Sequence, residues 1–91
     1  MTRVLFVGAH GALAAALRRG AVFAGPAPEE AVAEAIDELE VPFPRRVDAP
    51  SPGDVVVDTD AWGLPEPAGL CLEEVRELRT VLGDRVASLL P

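Results

Sequence analysis

The stretch that most restricts this chain is RVLFVGAHGALAAALRRG, residues 3–20. Val4-Leu5-Phe6-Val7 is an unbroken apolar run between Arg3 and Gly8, the pattern of a strand buried on both faces inside a parallel sheet. Gly8-Ala9-His10-Gly11 turns the chain. Ala12 to Arg19 then supplies strong helix formers, with Leu13 and Leu17 one turn apart and Gly20 as a stop. These pieces are the first half of a β–α–β unit. A loop of this kind is also a ready anion cradle, because the first N–H groups of a helix have no intrahelical acceptor.

The remaining pattern continues the alternation. Ala21-Val22-Phe23-Ala24, closed by Gly25-Pro26, predicts a second strand. Pro28-Glu29-Glu30 opens a second helix whose Val32, Ala35, Ile36 and Leu39 share one face. Prolines 42, 44, 50 and 52 predict a stiff, irregular connection over residues 40–53. Asp54 to Asp58 reads as a third strand, and Ala61-Trp62-Gly63-Leu64 as a short fourth one. Cys71, Val75, Leu78, Leu82, Val86 and Leu89 mark a long closing helix. Over 91 residues this predicts one domain, residues 1–91: a small three-layer α/β sandwich on a parallel sheet of three to four strands, with right-handed crossovers. Ligands of such sheets lie beyond the carboxyl ends of the strands. Three loops converge there: Gly8 to Gly11, Asp58 to Asp60, and Leu64 to Pro67.

Charge narrows the partners. Eight arginines, with no lysine, face 15 acidic residues for a net charge of −7, a field that repels nucleic acid and anionic membrane. The use of Arg for every cation, with abundant Ala, Gly, Pro and Val, matches codon bias in a GC-rich bacterial or thermophilic genome. A single cysteine excludes an intrachain disulfide and suits a reducing cytoplasm. The first apolar run is too short for a signal peptide, and no run reaches membrane-spanning length, so the expected location is cytoplasmic.

The order of pieces RVLFV, ALAAALRR, FAG, PEEAVAEAIDEL, DVVVDTD, WGLPEPA and EEVRELRTVLGDRVASLL resembles the low-molecular-weight protein tyrosine phosphatases and their arsenate reductase relatives. The resemblance covers most of the chain, and WGLPEPA is its most specific element. In that family the first strand ends in a C-x5-R-S phosphate loop, and a W-x-x-P-D-P segment brings a general-acid Asp over it. Aligned without gaps, the nucleophilic Cys falls at Gly8 and the loop Arg at Ala14. Matching the helices instead makes the loop shorter and deletes most of the cradle. Either way the thiolate and guanidinium are missing. Arg18 and Arg19 lie roughly 10 Å along the helix from Gly11 and cannot replace them. The general-acid position falls at Glu66, and the helix and strand that the family places before its Trp segment are absent.

The resemblance therefore implies a reduced phosphatase-like fold without the catalytic apparatus, acting as a binding or interaction module. Gly8, Ala9, His10 and Gly11 are the candidate anion site for phosphate or sulfate, set against a plain β-to-α turn. The alternative is a weak phosphatase or arsenate reductase-like enzyme using Glu66 as general acid, with His10 as donor or base. His10 is set against a solvated loop histidine, and no second imidazole or thiol supports a metal site. Asp58, Asp60 and Glu66 could cluster to hold Mg²⁺ or move protons, set against a solvated acidic loop. Cys71 lies on the apolar helix stripe and is expected to be a small buried residue rather than a reactive thiol. No cofactor is implied. Loss of the segment before Trp62 uncovers sheet surface, so a homodimer or protein partner is expected around Val41, Phe43 and Trp62.

Overall fold

The computed structural model describes residues 3–89. Its four strands are β1 (Val4–Val7), β2 (Val22–Ala24), β3 (Arg45–Arg46) and β4 (Val55–Asp58); its helices are α1 (Gly11–Ala16), α2 (Glu30–Asp37) and α3 (Leu72–Ser88). The strands form one sheet in the order β3-β2-β1-β4, with every pairing parallel. The expected α/β sandwich on a parallel sheet is therefore present.

β1 is central because its sequence leaves it no other place. Leu5 and Phe6 are fully buried, with Phe23 of β2 beside Phe6 on one side and Val57 of β4 on the other. Since side chains alternate along a strand, Val4, Phe6 and Phe23 face one way, toward the helices, and join their core. Leu5, Val22 and Val56 share the opposite face. The chain returns from β3 at one edge of the sheet to β4 at the other through residues 47–54.

α1 is buried on every side: all six of its residues, Gly-Ala-Leu-Ala-Ala-Ala, are enclosed. A helix apolar all round must be an interior one, and its alanines let it approach β1 and β2 closely while α2 and α3 pack onto it. α2 contributes Val32, Ala35 and Ile36 to this core, and α3 contributes the stripe Val75, Leu78, Leu82 and Val86. The Phe6 ring meets Trp62 edge to face at 6.5 Å between centroids.

Three expected elements differ. α1 stops at Ala16, short of the expected Arg19, so Arg18 and Arg19 follow the helix and do not lie along it. Residues 59–62 are a 3₁₀ turn and not a strand, because the Asp58 carboxylate accepts from Asp60 N–H and starts the turn, while Gly63 ends it at φ 65°. The fourth strand lies instead inside the proline-rich connection: Arg45 and Arg46 pair with Val22 and Phe23, and Val47 N–H donates to Phe23 C=O. Prolines 42 and 44 precede the paired residues, so no ladder donor is lost.

Two sets of ion pairs fasten the periphery. Arg3 donates from Nε (2.9 Å) and Nη2 (2.7 Å) to Asp54, whose carboxylate also accepts from Ser51 N–H; this anchors the start of β4 to β1. Glu38, just after α2, accepts from both Arg76 and Arg79 of α3. Hydrogen bonding from Arg76, followed by that from Arg79, lowers the Glu38 pKa to about 2 from 4.5. A depressed carboxylate pKa contributes stability that is fully present above the unfolded value and disappears as pH falls through the folded one. Glu38→Gln should therefore be less stable than the parent near neutral pH, with the difference vanishing between about pH 4.5 and pH 2. Denaturant titrations across that range check this, and a difference that persists unchanged to pH 2 contradicts the pairing.

Candidate functional site

The turn after β1 is built by close backbone approaches. Gly8 has φ 99°, and a Cβ there would lie 2.7 Å from Asp60 Oδ1 and 2.8 Å from Thr59 Oγ1. Gly11, the first residue of α1, brings the helix so near the sheet that a Cβ would sit 3.0 Å from Phe6 C=O and 3.3 Å from Phe23 Cβ. The glycines are thus required by packing in addition to turn geometry.

The cradle is not free. Ala9 N–H donates to Asp60 Oδ1 at 3.1 Å, and Gly11 N–H donates to Gly8 C=O at 3.1 Å. Thr59, fully buried, donates its hydroxyl to Val7 C=O at 2.7 Å, fixing the 3₁₀ turn against the end of β1. A carboxylate of the chain itself therefore takes a donor that an oxyanion would use. Sequence reasoning placed Asp60 at this edge of the sheet but missed Thr59 and the bond from Ala9 N–H; the signal was the TD pair directly after the strand.

His10 is buried, at 2% exposure, which corrects the expectation of a solvated loop side chain. Its Nε2 donates to Pro65 C=O at 2.6 Å, so this bond ties the first loop to the WGLPEP segment. Nδ1 is closed off from solvent without a hydrogen-bond partner.

Glu66 lines a cleft of about 250 Å³ beyond the carboxyl ends of β1 and β2, with Ala9, Ala12, Glu29, Val32 and Pro67. No arginine lines it. Glu29 is engaged, accepting from Gly69 N–H at 3.0 Å. Asp58 and Asp60 are spent on turn and loop N–H groups, and among the described residues no group of three or more His, Cys, Asp or Glu side chains converges to hold a metal ion.

Cys71 is exposed, not buried, because it is the residue that starts α3 and lies before the apolar stripe. Its N–H donates to Glu74 Oε1 at 3.1 Å, which holds the Glu74 carboxyl below its ordinary range.

The residues expected to share one interface are divided. Val41 and Phe43, 41% and 53% exposed, lie before β3 at one edge of the sheet. Trp62 follows β4 at the other edge and is partly buried on Phe6. The proline-rich connection carries the edge strand β3 and so keeps the two ends apart. Along β4 the sheet exposes apolar surface that the sequence did not reveal: Val55 and Val56 are each nearly half exposed.

Gly8→Ala adds a clash to the cost of φ 99° and should lower stability by about 2–4 kcal/mol. Gly20→Ala, at φ 80° with open space around it, should cost only about 1 kcal/mol. Chemical denaturation of the two variants compares them, and equal losses would mean that Asp60 does not close the loop.

No family model matches the chain, and neither the curated proteins nor the solved structures contain a match to it.

Proposed function

We propose that this chain is a non-catalytic, phosphatase-like interaction module. The observation that carries this reading is the Asp60 carboxylate on Ala9 N–H. A phosphate or sulfate brought to Gly8–Gly11 would meet that negative charge, with no guanidinium or thiol in the loop to offset it. The buried His10 and the cation-free cleft beside Glu66 agree with the same reading. Phosphoester hydrolysis needs a nucleophile and charge stabilisation, and an acid alone supplies neither. The purified chain should show no vanadate-sensitive hydrolysis of an aryl phosphate above background. Turnover that Glu66→Gln abolishes would establish the enzyme reading instead.

The surface best suited to assembly is the β4 edge. The opposite edge is guarded, since β3 is two residues long, both arginines, and is preceded by Pro42 and Pro44. β4 carries neither lysine nor proline, holds its one charge, Asp58, at its end, and exposes Val55 and Val56, one on each face. Edge strands are normally blunted by charge, proline or cover, so a bare apolar edge calls for a strand to pair with it. A second copy supplies one: two β4 edges related by a two-fold axis pair antiparallel and bury the same valines on both sides. In a native-mass measurement the parent chain should be dimeric, and Val56→Lys should shift it to monomer with unchanged helix content. Phe43→Asp, at the other edge, should leave the mass unaltered. A parent chain that stays monomeric at high concentration removes this assembly.

A further inference from the structure

Below the amino ends of the strands lies a second, larger cleft of about 900 Å³, away from the turn after β1. Its wall runs from the last turn of α1 through Val22 to the connection before β3, and it is lined by Arg3, Arg18, Arg19 and Arg45 with a single acid, Glu40. In a chain of net charge −7 this gathers half of all the arginines around one opening. Arg3 is neutralised by Asp54. Arg18, Arg19 and Arg45 form no ion pair among the described residues, whereas Arg76 and Arg79 of α3 share Glu38.

Arg18 adds a second observation. Its Nη1 is shut off from solvent with no hydrogen-bond partner, while the rest of the side chain is half-buried along the cleft. A guanidinium that has lost water on one side and gained no acceptor from the chain keeps its charge uncompensated. The neighbouring unpaired cations act in the same direction. The remainder of the lining is apolar: Ala15, Ala16 and Leu17 form the wall, and Val41 and Phe43 stand exposed at the rim.

We propose that this cleft binds a small organic anion, its phosphate or carboxylate group held by Arg18, Arg19 and Arg45 and its apolar body laid against Val41 and Phe43. Guanidinium groups match such oxyanions through paired N–H donors, and the apolar rim gives the body somewhere to leave water. The proposal goes beyond the dimer reading and does not depend on it, since the β4 edge lies across the sheet.

Isothermal titration of the full chain tests it, using phenyl phosphate, inorganic phosphate and benzyl alcohol as probes. Phenyl phosphate should bind at least about tenfold more tightly than inorganic phosphate, and benzyl alcohol should give no saturable signal. Arg18→Gln and Arg45→Gln should each weaken phenyl phosphate about tenfold, the loss of one charge-assisted contact. Phe43→Ser should weaken phenyl phosphate and leave inorganic phosphate unchanged. Arg45 is exposed, so Arg45→Gln keeps the test valid if Arg18→Gln does not fold. Absence of saturable phenyl phosphate binding, or binding equal in the parent and Arg45→Gln, overturns the site. So does an acidic peptide that binds more tightly than phenyl phosphate through the same arginines, because the occupant is then a protein segment. Native mass recorded on the same samples separates the two readings: a monomer that binds phenyl phosphate removes only the dimer, and a dimer that does not bind it removes only this site.

Discussion

β1 has to be covered on both faces and hydrogen-bonded along both edges, and the other elements are disposed to achieve that. β2 and β4 take its two edges. On one face, Val4 and Phe6 meet the alanines of α1, which is itself wrapped by α2 and α3. Burial of a side chain the size of Phe6 or Phe23 contributes about 1.5–3 kcal/mol, so these two rings are major terms for a domain this small. The small residues of α1 and the bare backbone at Gly11 let the helix sit close enough to do this.

The same closeness governs the chemistry at the carboxyl end of the sheet. Gly8, Gly25, Thr59 and Asp60 are packed so tightly that a Cβ at Gly25 would lie 2.8 Å from Gly8 C=O. Thr59 is buried and bonded to β1, which fixes where Asp60 falls, and Asp60 then takes the Ala9 N–H. His10 is drawn inward and bonded to Pro65. These contacts make the turn after β1 a junction between three loops that holds the carboxyl end of the sheet together. Three arginines without an ion pair among the described residues, Arg18, Arg19 and Arg45, line the cleft at the opposite end of the strands, where α1 ends and the connection to β3 begins.

Much of this was written along the chain, because it depends on neighbours a few residues apart. The apolar run at Val4–Val7, the glycines after it and the helical spacing of Val75, Leu78, Leu82 and Val86 specify a buried parallel strand, a tight turn and an amphipathic helix wherever they occur. The absence of a thiol and a guanidinium from Gly8–Gly11 is equally a property of the sequence. Tertiary structure decided the rest. Arg45-Arg46 carries no strand pattern of its own, and becomes β3 because the free edge of β2 offers it hydrogen bonds. Ala61 to Leu64 has apolar residues enough for a strand but is turned by the Asp58 cap. Whether Asp60 is a solvated acid or the occupant of the loop, and whether Val55 and Val56 are core or bare edge, turns on contacts and strand order between segments some 50 residues apart. Local spacing encodes periodicity and turns; it does not encode which surfaces meet, and that decides which charges are paired and which remain free.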